Sequence, residues 1–139
     1  MEAVSTVTPS RVPRALWELR TMIECTIPGS SPYTEFNDYG CWCGFGGSGT
    51  PVDGVDKCCR AHDKCYDASA NIPHCHSLFS NSYIKSYNYK CEGKNVICES
   101  DNNACQMHVC GCDRNLAICL SKAVYHPQYK DMNKKLYCH

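Results

Sequence analysis

The stretch Cys58-Cys59-Arg60-Ala61-His62-Asp63-Lys64-Cys65-Tyr66 sets an imidazole beside a carboxylate on a short segment that also carries three of the chain's fourteen cysteines. Cys58, His62 and Tyr66 recur every four residues, which on a helix puts them on one face. Asp63 then points about a quarter-turn away, so base and carboxylate look onto adjoining spaces. Cysteines on both sides would hold such a segment rigid.

Fourteen cysteines in 139 residues is an even count at the level of a disulfide scaffold. Disulfides persist in oxidising compartments, which makes secretion the expectation. A zinc protein is the rival, since Cys41-Trp42-Cys43 and Cys110-Gly111-Cys112 bring thiols close together. Zinc sites favour C-x-x-C pairs, and this chain has none. The length suits one domain whose modest core the bridges supplement. No apolar run approaches the ~18 residues of a membrane span. The formal net charge is zero, which argues against nucleic acid as a partner and against purely electrostatic capture by anionic membranes. Membrane contact would have to use apolar and aromatic side chains.

Residues 1–14, Met-Glu-Ala-Val-Ser-Thr-Val-Thr-Pro-Ser-Arg-Val-Pro-Arg, lack the apolar centre of a signal peptide. The expectation is that a signal has been removed, that Met1 is a recombinant start, and that this segment is a propeptide ending at a tryptic site, Arg14. A tail without regulatory role would have the same composition. The domain then spans residues 15–139. From Ala15, the residues Leu16, Trp17, Leu19, Met22 and Ile23 follow helical spacing up to Pro28-Gly29, predicting a short amphipathic first helix.

The segment Tyr39-Gly40-Cys41-Trp42-Cys43-Gly44-Phe45-Gly46-Gly47-Ser48-Gly49-Thr50-Pro51 holds five glycines in thirteen residues. Such a loop can turn its backbone carbonyls to one side at little steric cost. Calcium takes several oxygens from carbonyls and carboxylates, and Asp63 is the next fixed carboxylate. A phosphate-cradling loop would end in Gly-Lys-Ser/Thr, which is missing. A purely structural glycine turn fits the composition equally well.

A second helix is predicted from about Asn103 to about Lys122, with Cys105, Cys112 and Cys119 at seven-residue intervals on one stripe. Cys58 and Cys65 share that interval. If the two helices run antiparallel, paired positions have a constant index sum, and Cys58 with Cys119 and Cys65 with Cys112 satisfy it. Two such bridges would staple the helices and bring Asp113 within reach of the His62 ring. Between the helices, the alternating tyrosines from Tyr83 to Cys91, then Glu92-Gly93-Lys94-Asn95 and Val96 to Glu99, predict a β-hairpin. His74 and His76 flank Cys75 in a polar connector and are assigned to solvent, as are Lys130, Lys134 and Lys135.

With the thiols committed to bridges, His62 has no side-chain nucleophile beside it. A water activated by His62 as general base is the simplest nucleophile. Calcium on the loop carbonyls and Asp63 would polarise an ester carbonyl and hold an adjacent phosphate. Together they suit hydrolysis of a phosphorylated ester. Either residue alone would be read as a hydrogen-bonded core group.

At these residues the chain resembles secreted phospholipase A2. The glycine loop through Val52-Asp53, the His62 segment, Ala15-Leu16-Trp17, the run Cys110-Gly111-Cys112-Asp113-Arg114-Asn115 and the placement of the cysteines are similar to its pancreatic, group IB branch, over Ala15 to Cys138. The resemblance implies a mainly α, disulfide-rich fold: two long antiparallel disulfide-linked helices, a short N-terminal helix, a calcium-binding loop and a small β-hairpin. It implies His62 as general base oriented by Asp113, with Tyr66 and Tyr87 hydrogen-bonding that carboxylate. It implies one calcium ion on the carbonyls of Trp42, Gly44 and Gly46 and the carboxylate of Asp63, with the Gly44 amide serving the oxyanion. The remaining bridges would be Cys25–Cys91, Cys41–Cys138, Cys43–Cys59, Cys75–Cys105 and Cys98–Cys110.

The implied reaction is calcium-dependent hydrolysis of the sn-2 ester of glycerophospholipids at a micelle or membrane surface. Leu16, Leu19, Ile23 and Phe36 would line the acyl slot, rimmed by Trp17, Phe45 and Tyr83. A propeptide ending in arginine also matches this branch, with a trypsin-like protease as activating partner. Two positions depart from the pattern. Trp42 stands for the usual tyrosine or phenylalanine and would contribute its carbonyl alone. Glu18 stands for a glutamine that, in the family, joins the freed N-terminal amine, here Ala15, to the catalytic aspartate; a carboxylate can accept from that amine but cannot donate onward. The functional alternatives are a toxin or receptor-binding homologue whose effect does not depend on catalysis, and a non-catalytic disulfide module.

Overall fold

Helix α1 (Arg14–Thr26) buries Leu19, Met22 and Ile23 and leaves Trp17, Arg20 and Thr21 in solvent, the split its amphipathic spacing demands. The helix as described opens at Arg14, one residue before the predicted start. The computed structural model describes residues 14–44, 46–73, 75 and 87–139, and of Arg14, Ala15 and Leu16 the backbone alone. The one-turn helix α2 (Pro32–Glu35) follows and delivers buried Phe36 to the core.

Helix α3 (Gly54–Asp67) starts where Asp53, in extended backbone, accepts from the Asp56 amide at 2.9 Å. A 3-10 turn, Ala68–Asn71, continues it. Helix α4 (Ala104–Lys122) is opened by a capping box in which the side chain of Asn103 accepts from the Gln106 amide and the side chain of Gln106 accepts from the Asn103 amide. α1 and α3 both lie along α4, and Thr26 Oγ1 donates across to the Ala117 carbonyl at 2.9 Å. The core between them is Leu19, Met22, Ile23, Phe36, Val55, Val109, Leu116 and Leu120, interleaved with cystines.

Seven disulfides join all fourteen cysteines in the expected pairs. Cys58–Cys119 and Cys65–Cys112, with Cα separations of 5.8 and 5.7 Å, staple α3 to α4 in antiparallel register. A bridge of this kind stabilises a small domain by about 2–4 kcal/mol. The fold class is therefore as expected.

The hairpin is shorter than the tyrosine pattern suggests: β1 (Tyr89–Glu92) pairs antiparallel with β2 (Asn95–Cys98), Tyr89 facing Cys98 and Glu92 facing Asn95. The ladder stops at Asn88: its carbonyl still accepts from the Glu99 amide at 3.0 Å, but its own amide donates to the Asn102 side chain at 2.8 Å instead of across the hairpin. Tyr83 to Ser86, with His74 and His76, lie outside the described residues.

The C-terminal segment is tied to the loop before α3. Gly40 donates to the Tyr129 carbonyl at 2.9 Å, and Asp131 to the Asp38 carbonyl at 2.8 Å. Lys130 and Lys134, expected in solvent, are part of this seam: Lys130 donates to the Asn37 carbonyl and Lys134 pairs with Asp38 at 3.3 Å. Their side chains are only 28% and 30% exposed, which periodicity does not reveal. The one-turn helix α5 (Lys134–Tyr137) follows, then Cys138 and His139.

Candidate active site

His62 projects from the buried face of α3 and is 3% exposed. Its Nε2 lies 2.7 Å from Oδ1 of Asp113, which α4 holds fully buried. A carboxylate accepts, so Nε2 carries the proton and Nδ1 carries the lone pair. That Nδ1 is buried and has no hydrogen-bond partner among the described residues. A buried polar atom left this way points to a reactant, since native interiors otherwise satisfy such groups.

Two tyrosines fix Asp113. Tyr66, one turn beyond His62 with ring centroids 4.5 Å apart, donates to Oδ1 at 2.9 Å, and Tyr87 donates to Oδ2 at 2.6 Å. Burial, then the charge of Asp113, pushes the Tyr87 hydroxyl far above the usual tyrosine range, so it remains a donor at any working pH. Tyr87 is itself held from α1: Glu18 Oε2 accepts from its backbone amide at 3.0 Å.

The glycine loop packs against the start of α3, and Asp56 is its anchor. This carboxylate, 0% exposed, accepts from the amides of Cys41 (2.8 Å), Trp42 (2.7 Å) and Val52 (2.9 Å). Gly40, at φ +60°, lies so close that an added Cβ would sit 2.5 Å from the Asp56 carboxyl carbon. Asp56 carries no motif that announces this, because its partners are backbone amides. Gly44 (φ +127°) and Gly46 (φ +79°) take left-handed backbone, and a Cβ at Gly44 would press on the Asp38 amide at 3.0 Å.

Asp63, half-buried, follows His62 on the adjoining face of α3. The groups that Trp42, Gly44, Gly46 and Asp63 can offer are three carbonyls and a carboxylate, an all-oxygen set that fits calcium. The cluster of Cys65, His108 and Cys112 does not compete for a metal, because its sulfurs form a disulfide.

Leu19, Ile23 and Phe36 are 1%, 0% and 4% exposed and belong to the apolar core that α1 and the turn after α2 supply. Trp17 stands on the surface, 53% exposed, under the Arg20 guanidinium at 5.1 Å. The Leu16 side chain, Phe45 and Tyr83 lie outside the described residues. Among the described residues no helix is long and apolar enough to cross a membrane.

An oriented imidazole whose lone pair meets no group among the described residues suits a hydrolase that uses water as nucleophile. The comparisons agree with this class. A family profile described as Phospholipase A2 matches residues 16–130. A rabbit protein (Oryctolagus cuniculus) named phospholipase A2 is 54% identical over 126 residues, covering 91% of this chain and 86% of its own. A sheep phospholipase A2 (Ovis aries) is 50% identical over 89% of this chain and 100% of its own length. Acidic phospholipase A2 PL-I of Walterinnesia aegyptia is 43% identical over 91% and 89%. The chain belongs to the phospholipase A2 family of ester hydrolases.

Proposed function

We propose that this chain hydrolyses the sn-2 ester of glycerophospholipids at lipid interfaces in a calcium-dependent reaction, releasing a lysophospholipid and a fatty acid. The observation that carries the reading is the His62 ring, bonded to Asp113 through Nε2 with Nδ1 buried and unpartnered among the described residues. Nδ1 takes a proton from water as the oxygen attacks the ester carbonyl, and returns it to the departing alkoxide. Asp113 holds the tautomer that makes Nδ1 the base and stabilises the imidazolium, while Tyr66 and Tyr87 keep the carboxylate in place. The Gly44 N–H is assigned to the developing oxyanion. Trp42, Gly44 and Gly46 through their carbonyls and Asp63 through its carboxylate would hold calcium, which supplies positive charge to the ester carbonyl and the phosphate.

Leu19, Ile23 and Phe36 are assigned to the acyl slot, with Leu16 completing it and Trp17, Phe45 and Tyr83 at the rim. Secretion follows from seven disulfides. Residues 1–14 act as a propeptide removed by a trypsin-like protease after Arg14, so that a new N-terminus at Ala15 can seat α1. The test is hydrolysis of lecithin micelles with and without a calcium chelator, before and after trypsin, in wild type and His62→Gln. Hydrolysis that survives both chelation and the substitution overturns the catalytic reading. Activity unchanged by cleavage after Arg14 overturns the propeptide reading alone.

A further inference from the structure

Glu18, Thr21 and Cys25 stand three and four residues apart on α1, in one stripe beside its apolar face. Each meets an alternate residue of the segment that leads through β1. Glu18 Oε2 accepts from the Tyr87 amide at 3.0 Å, Thr21 Oγ1 bonds the Tyr89 hydroxyl, and Cys25 is bridged to Cys91 with a Cα separation of 6.0 Å. Seven residues of helix advance about 10 Å and four of strand about 13 Å, near enough for side chains to span the difference. Thr21 has one hydroxyl proton, which goes to the Glu18 carbonyl at 2.9 Å, so Tyr89 is the donor in the bond between the two hydroxyls. Glu18, Thr21, Tyr89 and Tyr87 thereby close a ring, and α1 is laced to the hairpin in register.

We propose that this lacing, with Thr21 and Tyr89 as its middle tie, seats α1 from Glu18 onward while residues 1–14 are still attached, so that cleavage after Arg14 reorganises the first turn alone. The inference deepens the propeptide reading above and rests on it. None of the three ties uses a free amine, and all are formed in the uncut chain. Without Thr21, nearly two turns of helix would separate the tie at Glu18 from the bridge at Cys25. What a freed Ala15 can still rearrange lies ahead of the first tie, at Ala15, Leu16 and Trp17.

Amide hydrogen exchange in α1, measured on the full chain and again after trypsin, is the test. Amides of residues 22–26 are expected to exchange at the same rate within about twofold before and after the cut. Hydrolysis of lecithin micelles that cleavage does not change overturns the propeptide reading and this inference with it. Hydrolysis that rises while these amides gain about tenfold protection or more overturns this inference alone. Thr21→Val removes the hydroxyl but keeps the branched shape and a similar helix propensity. In the uncut chain it is expected to speed exchange at residues 22–26 roughly three- to tenfold, the worth of one net hydrogen bond, and Thr21→Ser to restore it. Tyr89→Phe should do the same, and the double variant no more than either alone. Thr21→Val that exchanges as wild type, or a double variant in which the two effects simply add, overturns the tie.

Discussion

Tyr87 bonds Asp113 through its hydroxyl at 2.6 Å and Glu18 through its backbone amide at 3.0 Å, so the buried Asp113 carboxylate and the first helix meet at one residue. Replacing the Glu18 side chain by leucine leaves that amide without its acceptor. The expected outcome for Glu18→Leu is hydrogen exchange at the Tyr87 amide faster by about fivefold, matching ~1 kcal/mol. Glu18→Gln keeps an accepting oxygen and is expected to exchange nearly as wild type. Equal exchange in both variants would mean the contact holds nothing.

Asp113→Asn tests the tautomer. An amide can present its N–H₂ to His62 Nε2 and draw the imidazole proton to Nδ1, where no base then remains. Hydrolysis rates on micellar lipid are expected to fall by ~10³-fold with the fold intact by circular dichroism.

Asp56 anchors the loop to α3 through three amides. Asp56→Asn replaces charge-assisted bonds by weaker ones and sets an amide group among donors, so a loss of about 2–4 kcal/mol is expected in denaturant unfolding. Gly40→Ala strikes the same point from the loop side, with a Cβ driven into the Asp56 carboxylate and a left-handed φ of +60° besides. Its destabilisation should be at least as large.

Alkaline pH gives a further check. Burial foremost raises the hydroxyls of Tyr87 and Tyr39 above the ordinary tyrosine value. The unfolded chain releases these protons near pH 10, whereas the folded chain keeps them. Their contribution is therefore complete below about pH 10 and declines as pH rises past it. Melting temperature is expected to drop above pH 10, and the ultraviolet signal of tyrosinate from these two residues should emerge only on unfolding.

How much of this could be read from the residues depended on distance along the chain. The stapled helices were legible because Cys58, Cys65, Cys112 and Cys119 repeat every seven residues, and the same repeat carried Asp113 to His62. The family resemblance supplied the other five bridges. The role of Asp56 was not legible, since its partners are backbone amides and any sequence has those. Nor was the reach of the Trp42 indole to the Gly49 carbonyl, which depends on the curl of the loop, or the tie from Thr21 to Tyr89, whose threonine reads as solvent-facing. The strand boundary failed at Asn88 because a side chain 14 residues away, Asn102, takes its backbone amide, while its carbonyl still accepts from Glu99.

The bridges also decide what a protease can remove. Cys25–Cys91 and Cys41–Cys138 overlap, so one cut anywhere from Cys25 to Cys138 leaves both pieces covalently joined. The part of the chain ahead of Cys25 contains no cysteine. Apart from His139, it is the only stretch that a single scission can set loose, and Arg14 lies within it. In a protease-rich fluid, nicks elsewhere would leave the molecule in one covalent piece, whereas a cut at Arg14 would discard the segment before it.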